Sequence, residues 1–139
     1  MIVGVGRGNR YVFSPPSDNR GNTPYQQLGS VQRYTRWPDS GTAIYAFASA
    51  AGGSGHVVST STPADDEITL AAVEILNGTR IHQFTWTEAL HAPLTSPAVT
   101  TTGPATLVAF WWGDGGVWGD KTAVPNNGFV VVVAVQQDR

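Results

Sequence analysis

TAIYAFASAAGGSGHVVSTSTPADDEITLAAVEILNG, residues 42–78, decides the fold class. An apolar run, a glycine turn, a Ser/Thr-rich alternating run and a second apolar run closed by Asn77-Gly78 follow one another. Read as strands, these runs are three consecutive antiparallel strands at the middle of a β-sandwich. In residues 42–49, Ile44, Ala46 and Ala48 alternate with Ala43, Tyr45 and Phe47, so both faces are expected to be buried. Residues 56–62 alternate as a half-exposed strand does. The last run has two readings. Pro63, Asp65, Asp66 and Glu67 suit a helix start, and Ile68, Ala71, Ala72, Ile75 and Leu76 fall at helical spacing. The same residues also read as a buried strand with Asn77-Gly78 as a hairpin turn. Periodicity does not separate the two, and a helix over 63–78 would make the fold α+β.

The chain has 139 residues, enough for a single domain over 1–139 with its own core. Charged residues make up only 13% of it, about half the usual share. Ser, Thr, Asn, Gln and Gly carry the hydrophilic surface instead, and 16 Gly with 9 Pro suit an all-β chain rich in turns. A net charge of -2 with scattered Lys and Arg excludes an electrostatic footprint for nucleic acid or an anionic membrane. The absence of cysteine removes disulfides, thiol nucleophiles and thiolate metal sites. Residues 1–13 lack the apolar length of a signal peptide or membrane span. An extracellular or particle-associated setting suits the composition best.

Towards the N-terminus, residues 2–6 read as a strand. Gly4, Gly6 and Gly8 approximate a dinucleotide-binding turn, but Asn9 stands where the fingerprint needs glycine, and Pro15-Pro16 blocks the helix that should follow. Residues 14–23, SPPSDNRGNT, are a dense turn signal. The oxygens of Asp18, Asn19 and Asn22 are of the type calcium takes, although metal-free Asx turns are far commoner. Residues 25–35 read as one or two irregular strands, and 36–41 as a loop presenting Trp37. Ser54 with His56 suggests a nucleophile and base. It fails the G-x-S-x-G pattern, since His56 occupies the last glycine's place, and no orienting acid stands nearby.

Towards the C-terminus, residues 81–87 alternate with His82, Phe84 and Trp86 on one face, which reads as a core face with His82 at its edge. Residues 106–112 and 128–135 are the most hydrophobic runs and are expected in the middle of the sheets. Between them, residues 113–127 form a long loop carrying Asp114, Trp118, Asp120 and Lys121. Loops of this length are often functional. A tryptophan beside carboxylates is how proteins hold sugars, the ring stacking on C–H faces while acids bond hydroxyls. The alternative is that these tryptophans plug the ends of the sandwich.

The order of turns and strands resembles a group of bacterial secreted, surface or phage tail modules. The residues carrying the likeness are Asp18, Gly21, Asn22 and Thr23, then Tyr45, Gly52 and Gly53, then Glu74 with Gly78, and the run from Val99 to Trp112. The resemblance implies a jelly-roll or immunoglobulin-like β-sandwich with no shared catalytic residues, and it favours a strand over residues 63–78. A chain that starts almost inside its first strand would complete its sheets through an oligomer partner.

The expected function is therefore a non-catalytic structural or recognition module, with a glycan as the expected ligand, held by Trp118, Trp37, Asp114 and Asp120. An oligomeric assembly protein of a particle or cell surface is the second reading. A small glycan hydrolase is the third, and it requires Asp114 and Asp120 to face each other across a cleft. No catalytic residue, metal ligand or cofactor is expected, since His56, His82 and His91 lack metal-ligand spacing.

Overall fold

The computed structural model describes residues 1–9, 12–61, 67–91, 93–113 and 124–134. Among them there is no helix, and every strand pairing is antiparallel. In chain order the strands are β1 (Ile2–Arg7), β2 (Ser17–Asp18), β3 (Gln26–Gln27), β4 (Gln32–Arg33), β5 (Gly41–Ala46), β6 (Val58–Ser59) and β7 (Ile68–Val73). The fold is all-β. The ambiguous stretch is a strand where it is described, so the helical reading of 63–78 does not apply to Ile68–Val73; residues 62–66 lie outside the described residues.

β1 occupies the centre of the larger sheet, paired along its full length with β5 on one side and β7 on the other. This corrects the expectation of three consecutive paired strands over 42–78. β5 and β7 each meet β1 instead of one another, and β6 leaves the sheet to pair with β2. The reason lies in β1 itself. Its IVGVGR sequence places Val3, Val5 and Arg7 on one face and Ile2, Gly4 and Gly6 on the other. The valine face meets Tyr45 and Ala43 across β5, and Ala72 and Leu70 across β7. Val3, Val5, Ala43, Tyr45 and Tyr25 form the buried core, with Phe13, Phe47, Val58, Ile68 and Leu70 packed around it. Val58 brings the short β2–β6 ladder onto this face.

The glycine face is closed differently. A Cβ at Gly4 would run into the Phe110 ring, and one at Gly6 into the Trp112 ring. The two aromatics, two residues apart, therefore lie directly on the β1 backbone. Close approach of another group is a reason for glycine inside a strand. Gly29 and Phe84 repeat the arrangement at the β3 side, where a Cβ would stand 2.8 Å from the ring.

The outer edge of β5 is covered by one kinked segment. Gln26 and Gln27 pair with Ala46 and Tyr45, Leu28 N–H donates to the Ile44 carbonyl at 2.8 Å, and Gln32 and Arg33 resume opposite Thr42 and Gly41. The expected irregular strands over 25–35 take this form.

The last third departs from expectation. Residues 81–87, 106–112 and the described part of 128–135 are not strands. Alternation marks a segment as able to pair, but the ladder needs a neighbour. Here Phe110 and Trp112 serve as a lid on β1, and side-chain bonds tether the connection: the Glu88 carboxylate accepts from Thr35 N–H at 2.8 Å and Thr35 Oγ1 at 2.6 Å, and Gln83 Oε1 accepts from Thr100 N–H at 2.8 Å. His82 is exposed beside Thr102 Oγ1 at 3.3 Å, not at a core edge.

Gly6→Ala is expected to cost about 1–3 kcal/mol, the usual penalty of overpacking. Combined with Trp112→Ala, the cost should fall short of the sum of the single changes by at least about 0.5 kcal/mol. Denaturant unfolding of the four proteins in that cycle measures it. Strict additivity would mean that Trp112 does not rest on Gly6.

Candidate functional site

The densest polar constellation among the described residues is built around Asp18, the last residue of β2. The turn after it folds back on the Asp18 side chain. Oδ1 accepts from Arg20 N–H at 2.9 Å and Asn22 N–H at 3.0 Å, and Gly21 supplies the positive φ of +77° that the turn needs. Oδ2 accepts from Asn22 Nδ2 at 2.7 Å and the Tyr25 hydroxyl at 2.6 Å, and His56 Nε2 lies 3.0 Å away. The Asp18 side chain is fully buried, and that of His56 is 8% exposed. An ionised carboxylate only accepts, so Nε2 carries the hydrogen.

The same turn clamps the loop after β5. Asn22 Oδ1 accepts from Ala51 N–H at 2.8 Å while its Nδ2 donates to the Ala51 carbonyl at 3.1 Å, so the side chain imitates a strand neighbour. Asn19 does likewise, accepting from Val57 N–H at 2.9 Å and donating to the Gly55 carbonyl at 2.8 Å. The Arg20 guanidinium donates to the Ser54 carbonyl. A Cβ at Gly52 would meet the Glu74 carboxylate. Asp18, Gly21, Asn22, Gly52, Gly53 and Glu74, far apart in sequence, thus meet at one end of the fold.

Burial by itself would raise the Asp18 pKa, but bonds from Tyr25, Asn22 and His56 outweigh it and hold the carboxyl well below the usual carboxylate range. Burial first, then the bond to Asp18 and its charge, push the Tyr25 hydroxyl well above the ordinary phenol range, so it remains a donor. Burial also raises Tyr45, whose hydroxyl is buried without a hydrogen-bond partner among the described residues.

This arrangement is suited to holding the chain together and poorly suited to chemistry. The carboxylate oxygens of Asp18 and the amide oxygens of Asn19 and Asn22 already accept hydrogen bonds, so they do not form a vacant cage for a hard cation. The acid that orients His56 is Asp18, 38 positions away in sequence, which reading around Ser54 does not find. The other ring nitrogen, Nδ1, is buried with no partner, so the imidazole does not present a base to a nucleophile or substrate.

Of the expected ligand residues, Trp37 is described. It is 46% exposed at the turn between β4 and β5, with the Arg36 guanidinium 5.6 Å from its ring centroid. Trp37 N–H donates to the Tyr34 carbonyl at 3.2 Å, and Ser40 N–H to the Trp37 carbonyl at 2.8 Å, so the turn presents the indole outward. Asp114, Trp118 and Asp120 lie outside the described residues. A cavity of about 50 Å³ between Met1, Phe47, Ile75 and Ile81 is far below the roughly 300 Å³ where ligand pockets begin.

Stability is expected to depend on Asp18 with a defined sign. Its folded-state pKa lies below the unfolded value of about 3.9, so its contribution is complete above that pH and drains away as the pH falls below it. Asp18→Asn should lower stability at neutral pH and flatten the acid limb, as read by thermal melts between neutral and acid pH. An unchanged acid limb would remove Asp18 from the role of central acceptor. Asn22→Ala, which strips both the Asp18 and Ala51 bonds, should cost about 3 kcal/mol; a loss below about 1 kcal/mol would mean that the clamp is dispensable.

Comparison with protein-family models, with curated proteins and with solved structures found no match, so the reading of this site rests on its own geometry.

Proposed function

We propose that the chain is a non-catalytic structural module that works within a homo-oligomeric assembly, its β-sandwich completed by neighbouring copies. The observation that carries this is the uncovered apolar run at 129–133. Phe129, Val130, Val131, Val132 and Val133 are 40%, 77%, 52%, 76% and 53% exposed. Leu107, Val108 and Trp111 are exposed as well. Scattered exposed apolar residues are ordinary, but a contiguous run marks a surface meant to be covered.

Total surface supports the same reading. The chain exposes 9642 Å², whereas a compact monomer of its 14.7 kDa exposes roughly 6,900 Å². The surplus of roughly 2,700 Å² is at the upper end of what one subunit of an obligate oligomer hides. The polar knot at Asp18 supports the non-catalytic half of the proposal, since its donors and acceptors are spent on the fold.

Glycan recognition is the second reading, and Trp37 favours it: a half-exposed indole beside Arg36 offers a stacking face at the rim. In that case Trp37→Ala abolishes a saturable tryptophan-fluorescence response to a soluble glycan and leaves the melting temperature unchanged. A flat response of the unaltered protein across a broad glycan panel removes this reading.

For assembly, light scattering coupled to gel filtration at micromolar concentration should give a fixed multiple of 14.7 kDa. A well-folded monomer throughout that range would overturn the proposal.

A further inference from the structure

The assembly reading leaves open where one copy meets the next, and two incomplete elements answer it. Among the described residues, β7 is paired with β1 alone, so the donors and acceptors along its other side face outward. Natural sheets protect such edges with lysine, proline, bulges or kinks. The opposite edge of this sheet is of that kind: β3 and β4 are two-residue strands of Gln and Arg, interrupted at Gly29. β7 has no such protection. Ile68, Leu70 and Ala72 line one face and Thr69, Ala71 and Val73 the other, without charge, proline or bulge across six residues. Apolar character on both faces belongs to a strand with neighbours on both sides.

Residues 129–134, FVVVVA, are the complement: a strand sequence without a sheet. They too are uncharged and apolar on both faces, and they match β7 in length. They leave a turn in which Asn127 and Gly128 both have positive φ, 54° and 81°, with Phe129 N–H donating to the Asn126 carbonyl at 3.1 Å. Two successive positive φ values are the signature of the hairpin turn that launches a twisted strand. The arm entering that turn carries Pro125, which has no N–H to give to a ladder. The partner of 129–134 therefore comes from elsewhere.

We propose that the outer edge of β7 receives residues 129–134 of a second copy of this chain as an added strand. This rests on the assembly reading and names its contact. Main-chain bonds along β7 would supply the affinity, and the apolar side chains on both faces of the new strand would extend the sheet's two faces. A second copy is chosen because the surplus surface is of the size a subunit hides against its neighbours. In this structure, moreover, 129–134 are not laid on the β7 of their own chain.

The chain has no cysteine, so paired cysteines report this contact directly. Chains carrying Ala72→Cys would be mixed with differently mass-tagged chains carrying a single cysteine at Val130, Val131, Val132 or Val133, then oxidised. The expected result is a disulfide between differently tagged chains, strongest at one or two neighbouring positions. A double variant that cross-links only within one chain overturns the proposal in favour of pairing in cis. An oligomer in which no position cross-links also overturns it while leaving the assembly reading intact. A monomer removes both. Val131→Pro is the second arm. It should weaken association about tenfold or more by removing a ladder donor, with the far-ultraviolet circular dichroism of the monomer retained. Unchanged association of a folded Val131→Pro protein would count against the added strand.

Discussion

Both six-residue pairings in the described sheet involve β1, and β1 works because its two faces are opposite in kind. Val3 and Val5 give the core its fully buried aliphatic groups, while Gly4 and Gly6 present bare backbone on the reverse. A strand with bulky residues on both faces would hold the Phe110 and Trp112 rings a full side chain further out. The glycines cost backbone entropy, and that cost is offset by the area the two rings bury against the strand. The lid and the core are therefore fixed by the same six residues. A change at Gly6 acts on a ring more than a hundred residues away in sequence.

The polar knot solves a different problem at the end of the core. Residues 49–57 make a long glycine-rich excursion with little apolar side chain to pack, and backbone groups left near a core must find partners. Asn19, Arg20 and Asn22 supply those partners through side chains, and Asp18 holds the turn that aims them. An acceptor with two oxygens and several donors around it must stay ionised to satisfy them all. That is why its carboxyl is held low despite burial, and why Tyr25 stays protonated beside it.

The alternation in residues 42–46 and the short apolar segment at 2–6 are enough to mark β5 and β1, because strand patterning is local. The turn chemistry of residues 18–22 is legible for the same reason: Asp, Gly and Asn at those offsets bond their own backbone. Pairing is another matter. Nothing in a linear pattern states that β1 lies between β5 and β7, since β5 and β7 would have suited one another equally well. Gly4 and Gly6 look like a broken nucleotide motif until Phe110 and Trp112 are seen above them. His56 looks like an unoriented base until Asp18 comes within 3.0 Å. The expectation of strands at 106–112 and 128–135 read composition correctly and location wrongly, because a hydrophobic run states that it must be covered and leaves open by what.

That last point bears on what a single copy of this chain can be. Burying a valine side chain fully is worth roughly 1.5–3 kcal/mol, so the half-exposed run from Phe129 to Val133 forgoes roughly 5 kcal/mol in all. Small domains are stable by only about 5–15 kcal/mol, which makes the forfeited burial comparable to the whole margin. A monomer would gain by covering the run or by replacing it with polar residues at no structural loss. Its retention beside the unprotected β7 edge makes sense when another surface supplies the missing burial, because association then recovers both the apolar area and the open ladder at once. The low charge of the chain acts in the same direction: with 13% charged residues, little repulsion opposes the close approach of copies.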